Sequence, residues 1–274
     1  MSLVLTKELV YEIEQSEIEC LSSRLAAIRQ IEGNPMGIEI KQFGNAICFS
    51  AAAIPGPSFN TVKGLKDEDE KFIDALIAYY EQRNIPVRFE LTPAHVSSRM
   101  LTCLNEKGFY HADFHTVVYV PLSNMPKGQS TDTGIIIRKL KSQEYAVYAD
   151  IYADAFAMPA FLKPSIEANN KVLDDDSRWE FYLAIVEGKP AGTGVLFIQN
   201  DIAVLAAAAT LPEFRGIGVQ SALIKQRLNQ AITKKCRLLV GHAGFASTSL
   251  RNMERAGLKV AYNKAIWRKR SVSE

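Results

Sequence analysis

The stretch from Ile202 to Gln220 constrains this chain more than any other. Nine residues, Ile202 to Thr210, are apolar or small throughout, which predicts a strand buried on both faces. Leu211-Pro212-Glu213-Phe214 ends it, and Arg215-Gly216-Ile217-Gly218 leads into a helix predicted over Val219 to Ile232. Glycines let consecutive backbone N–H groups turn toward one point. The helix start adds partial positive charge there, and Arg215 adds a full one. Such a turn suits a pyrophosphate, although Gly-x-Gly by itself also serves as a plain strand-to-helix connection.

The surrounding pattern is that of an α/β (α+β) protein of two parts. A chain of 274 residues fits about two domains at roughly 150 residues each. In the first part the spacing predicts a helix from Thr6 to Gln30, strands Ile38 to Phe43 and Ala46 to Ile54 about a Gly44-Asn45 turn, and a helix Asp67 to Gln82. A strand Val87 to Leu91, a helix Ala94 to Glu106 and a strand ending at Val120 follow. Apolar periodicity then lapses, so the expected division is 1–122, a linker at 123–134, and 135–274. The second part reads as strand Ile135 to Leu140, helix Ser142 to Ala157, a further helix after Pro164, and strands Phe181 to Val186 and Ala191 to Ile198. After the glycine turn and its helix come strand Cys236 to Val240, helix Ser247 to Ala256 and strand Lys259 to Arg268. Setting Gly257 on Gly108 places Arg237 on Arg88, Leu250 on Leu101 and Leu258 on Phe109, which suggests a duplicated unit.

Composition narrows the function classes. A net charge of +2 gives no basic field for nucleic acid. No apolar run approaches the roughly 20 residues of a membrane helix, and no secretory pattern opens the chain. Four scattered cysteines lack metal-ligand spacing, so no metal is expected, and buried thiols in a cytoplasmic protein are.

The segment Arg215-Gly216-Ile217-Gly218-Val219-Gln220 resembles motif A of the Gcn5-related N-acetyltransferases, Arg/Gln-x-x-Gly-x-Gly/Ala. Gln220 stands at the last small position, where its amide can donate to phosphate. The resemblance extends over Ile135 to Arg268. It implies two tandem acyl-CoA N-acyltransferase-like domains, each a mixed, mostly antiparallel sheet flanked by helices. It also implies acetyl-CoA as co-substrate and a small-molecule or peptide amine as acceptor. The cofactor arm would lie along Ala209 and Thr210, its pyrophosphate on Arg215 through Gln220, with Ser249 and Asn252 reaching it from the later helix. The family's usual Tyr falls on Met253, and its usual Glu on Ala206 to Ala209, so neither common proton-transfer group is present. His242 is the candidate base, since imidazole titrates near neutrality; a loop histidine packed beside Gly241 and Gly244 is the plainer alternative. Tyr182 and Tyr262 are lesser candidates for that role, each also readable as an ordinary strand aromatic, and the run Asp174-Asp175-Asp176 could attract a cationic amine or serve as a solvated loop.

The first half reads Asn60 to Leu65 and then Lys66-Asp67-Glu68-Asp69-Glu70 at the matching point. Acids there repel a pyrophosphate, so this half is expected not to hold coenzyme A. A non-catalytic acyl-CoA-binding or sensor protein, or a different acyl or aminoacyl transferase on the same tandem fold, remain the alternatives. The pattern assigns no oligomeric state.

Overall fold

A computed structural model describes residues 4–54, 56–123, 125 and 134–270. In chain order the elements are α1 (Lys7–Arg29), β1 (Ile38–Phe43), β2 (Ala46–Ala51), β3 (Thr61–Lys63), α2 (Ile73–Glu81), β4 (Arg88–Leu91), α3 (Ser98–Glu106) and β5 (Phe109–Pro121). Then follow β6 (Ile135–Lys139), α4 (Tyr145–Ala155), α5 (Lys163–Lys171), β7 (Trp179–Val186), β8 (Lys189–Gln199) and β9 (Ile202–Thr210). The last are α6 (Val219–Thr233), β10 (Leu238–Gly244), α7 (Thr248–Arg255) and β11 (Lys259–Lys269). The described residues form two compact units, one of residues 4–117 with 261–270, the other Val118–Val260. Most of the expected linker, residues 124 and 126–133, lies outside the described residues.

In the first unit α1 starts at Thr6, whose hydroxyl accepts from the Leu9 N–H at 3.2 Å. Its buried stripe, Leu9, Ile13, Leu25 and Ile28 among others, follows the helical period. The strands run β1-β2-β3-β4-β11-β5; β1–β2, β2–β3 and β4–β11 pair antiparallel, and the parallel β3–β4 step meets only at Val62 and Phe89. Two features differ from expectation. The helix predicted from Asp67 begins as a 3-10 turn, Asp67–Phe72. Asp69 turns inward there to accept from the backbone N–H groups of Asn45 and Lys66, both at 2.9 Å. The final strand, expected with the second domain, belongs from Ala261 onward to the first unit, where it pairs with β4, Ala265 opposite Leu91 and Arg268 opposite Arg88.

Charge explains that placement. Lys264 on β11 is 2% exposed and donates to both Glu17 and Glu90, the latter at 3.0 Å. Lys63 bridges the same Glu90 at 2.5 Å, and Arg88 also reaches it. Burial pushes the Glu90 carboxyl up, but Lys264, Lys63 and Arg88 outweigh it and hold the group well below its ordinary range. Burial likewise depresses the Lys264 ammonium, yet Glu17 and Glu90 outweigh it and raise it well above its ordinary value. A second buried pair, Glu14 with His95 at 2.6 Å, continues through Thr92, which donates to Glu14 at 2.6 Å.

The second unit orders its strands β5-β10-β9-β8-β7-β6, with the last residues of β5 beside β10. Its main core lies on the face covered by α6 and α7, from Leu223, Ile224 and Leu228 to Leu250 and Met253. The opposite face carries α4, where Ile151 meets Leu183 and Ala209.

Replacing Lys264 by Met should remove one of the cations that buried Glu17 and Glu90 share, leaving Glu17 the longer contact with Lys63, at a cost of about 3 kcal/mol, read as a lower urea midpoint with an unchanged slope. The pH dependence has a defined sign. The folded Glu90 value is lowered, so its contribution is full above the ordinary 4.5 and disappears as pH falls. The folded Lys264 value is raised, so its contribution is full below the ordinary 10.5 and disappears as pH rises. Wild-type stability should therefore fall at both extremes, and Lys264→Met should flatten the alkaline limb.

Candidate functional site

Strands β9 and β10 run parallel but pair at only three positions, Ile202–Leu238, Ala203–Leu239 and Val204–Val240. Beyond these each continues separately, β9 to Thr210 and β10 to Gly244. Parallel neighbours that part in this way open a cleft between backbone edges with unused hydrogen-bonding groups. Ala206, Ala207 and Ala208, small and only half-buried, line the β9 side.

The turn after β9 closes one end of the cleft. A 3-10 turn, Pro212–Phe214, leads to Arg215, and Gly216 and Gly218 then adopt φ of +83° and +99°, the left-handed region where a Cβ is strained. Gly218 is the N-cap of α6, and no side chain caps that helix. The N–H groups of its first turn are thus left without side-chain partners. Arg215, Gly216, Ile217 and Gly218 are exposed, and nothing lies within 4 Å of a Cβ built on Gly216. Uncapped N–H groups, an open loop and positive φ together fit an anion such as a pyrophosphate.

Val219 is buried. Its packing depends on Gly192 of β8, where a Cβ would stand 2.9 Å from Val219 Cγ1. Arg215 anchors the loop, donating to the Ala155 carbonyl at 2.7 Å and to the Thr210 carbonyl at 3.4 Å. It therefore spends part of its donor set on the ends of α4 and β9.

The structure brings together the other expected cofactor contacts. Gln220 Nε2 donates to Ser249 Oγ at 2.9 Å, and Asn252 Nδ2 donates to Gln220 Oε1 at 2.6 Å. This chain ties the first turn of α6 to α7. Ser247 caps α7, accepting from the Leu250 N–H at 3.2 Å. Ala209 is buried and Thr210 half-buried at the end of β9.

His242 is half-buried on β10, two residues past the last pair with β9. A Cβ on Gly241 would strike Met253 Sδ at 2.7 Å, so Gly241 faces α7. Strand alternation then turns His242 to the α4 face. Met253 is buried over Gly241, and its thioether donates no proton.

The lesser candidates fall elsewhere. Tyr182 is buried and donates to Glu180; burial, reinforced by that carboxylate, raises its phenol far above the ordinary value. Tyr262 belongs to the first unit, with its phenol also raised by burial. Asp174 accepts from Tyr145 at 3.0 Å, and Asp176 pairs with Arg178 at 2.7 Å. Among the described residues no cluster of three His, Cys, Asp or Glu side chains could hold a metal, and no helix is long and apolar enough to cross a membrane.

Sequence reasoning missed Arg227, buried inside this unit. The signal was its place on α6, four residues after Leu223 and four before Ala231, in an otherwise apolar stripe.

A family model described as Acetyltransferase (GNAT) family matches residues 145–253. No curated protein matches the chain in sequence. Among solved structures, a GCN5-related N-acetyltransferase from Kribbella flavida is 12% identical with a TM-score of 0.65, the match covering 90% of this chain and 95% of that one. One from Sphaerobacter thermophilus is 15% identical with a TM-score of 0.61, covering 93% and 90%. A tandem GNAT protein from the clavulanic acid biosynthesis pathway is 10% identical with a TM-score of 0.58, covering 76% and 74%. The cleft, the glycine turn and α7 all lie inside the matched segment or on its border, and the chain is thus a GNAT-fold protein whose second unit carries an acetyltransferase (GNAT) family domain.

Proposed function

We propose that the second unit transfers an acetyl group from acetyl-CoA to a primary amine of a small molecule or peptide. One observation carries the reading. An uncapped, glycine-formed helix start stands at the end of a strand that has parted from its parallel neighbour. The first feature suits a pyrophosphate and the second an extended thioester arm. Arg215, Gly216, Ile217, Gly218, Val219 and Gln220 form the phosphate cradle. Ala209 and Thr210 offer backbone to the arm, and Ser249 and Asn252 hold Gln220 in place beside it.

The acceptor nitrogen attacks the thioester carbonyl carbon directly, a C–N bond forms and the C–S bond breaks. His242 takes the proton that the amine loses, and the thiolate leaves and is protonated by water. Positioning and a backbone N–H on the carbonyl oxygen supply most of the acceleration. The proposed division of labour leaves the first unit without a coenzyme site. Its corresponding parallel step is bridged by Lys63 and Glu90, and Asp69 is buried at the turn. Four free cysteines, with burial raising Cys20 and Cys48 to about 12, suit a reducing, cytoplasmic setting.

A non-catalytic acyl-CoA-binding role uses the same cleft, and buried Met253 at the usual acid position favours it. Turnover separates the two. With acetyl-CoA and a panel of amines, catalysis predicts release of free thiol, and its absence with every amine alongside retained binding would favour the sensor.

Gly218→Glu should abolish coenzyme A binding; the position is open, so the strain of a side chain at φ +99° should cost about 1 kcal/mol and leave the circular dichroism spectrum native. Undiminished affinity would contradict the cradle. His242→Gln should lower turnover by about 10² and remove the acidic limb of the pH–rate profile. A parallel profile of unchanged shape would exclude His242 as the base.

A further inference from the structure

The pairing of β8 with β9 slips in the middle. Val195 stands opposite Ala207, but the next residue, Leu196, stands opposite Leu205, so Ala206 is an extra residue with no partner on β8. A bulge of this kind frees one residue from the ladder and turns the side chains beyond it to the other face. The cores show that reversal. Ala203 and Leu205, before the bulge, belong to the α6–α7 core, whereas Ala209, after it, belongs to the α4 cluster. The bulge thus leaves Ala206 without a partner on β8, on the strand that borders the cleft. It also turns Ala209 to the face that His242 occupies.

Arg227 sits on that bulge. It is 2% exposed, and its guanidinium donates to the Val195 carbonyl at 3.2 Å and the Ala207 carbonyl at 3.0 Å, the pair on one side of the slip. Its Nε donates to the Leu223 carbonyl at 3.0 Å, which fixes the side chain along α6. Gly194 makes room: a Cβ there would lie 3.0 Å from Nε and 3.1 Å from Cζ. Burial lowers the guanidinium to about 10, with Tyr182 and Tyr148 opposing that fall, so it stays charged at neutral pH. A buried cation answered by carbonyl dipoles is costly to maintain. This one holds the carbonyls of the last regular pair before the bulge.

We infer that Arg227 is a positioning residue for acyl transfer: it locks the β9 bulge so that the freed N–H points at the thioester carbonyl. The inference rests on the acyl-CoA reading of the cleft.

The test compares affinities of the full chain for acetyl-CoA and for coenzyme A, which differ in the acetyl group whose carbonyl the bulge would hold. Arg227→Met should leave coenzyme A affinity within about twofold and weaken acetyl-CoA by roughly fivefold to tenfold, the worth of one hydrogen bond. Arg227→Lys should recover part of that loss. Amide exchange at Ala206 to Ala208 should quicken in Arg227→Met, with α6 protection unchanged. If Arg227→Met does not fold, Gly194→Ala, whose methyl meets the guanidinium, reads the same affinity ratio. Equal weakening toward both ligands, or an unchanged ratio, would overturn the inference and leave Arg227 a packing residue. If the unaltered chain binds neither ligand, the acyl-CoA reading is itself at fault and this inference falls with it.

Discussion

The candidate site depends on two parallel strands that stop pairing. Past Val204 and Val240 the backbones of β9 and β10 give up mutual hydrogen bonds, and such groups persist only where water or a ligand satisfies them. The glycine turn, the uncapped start of α6 and the Gln220–Ser249–Asn252 chain all gather around that parting. Arg227 stabilises the irregular strand on one side of it. The site is therefore mostly backbone, which is why it tolerates alanines and a methionine where acids or phenols are more usual.

The first unit meets the same topological problem differently. Its parallel step, β3 with β4, also ends almost as soon as it begins. There the residues that follow the single pair, Lys63 and Glu90, close on each other, and Glu17 and Lys264 complete a buried network. Charges matched in this way hold a fold through directional contacts and leave little demand for a ligand. The same network selects the neighbour of β11, because Lys264 finds its carboxylates on α1 and β4.

Periodicity made the long elements legible. The stripe of α1, the strand Ile202 to Thr210 and the helix start at Val219 all fall where the pattern puts them. The equivalence of Gly108 and Gly257 is also visible in the structure: both follow a helix, and both take positive φ, +83° and +97°. What escaped was non-local. Three residues, Thr61–Lys63, are too few to show alternation. The exchange of the last strand depends on Lys264, which in sequence is one charge among many. Glu90 follows Phe89 in a short strand with nothing local to mark it as buried, and Arg227, though in an apolar stripe, finds its carbonyl partners Val195 and Ala207 far away in sequence. The proposed proton-transfer role is the least legible part, since His242 is set on the α4 face only by strand alternation from Gly241.

The account's central claim is that one parting of strands is built to take acyl-CoA and the other is filled by ions. Calorimetric titration of the full chain with acetyl-CoA measures this directly through its stoichiometry. The account predicts one site per chain. Two sites per chain would show that the ion network of the first unit does not close it to the ligand. No binding at all would show that the glycine cradle and the cleft beside it serve structure alone.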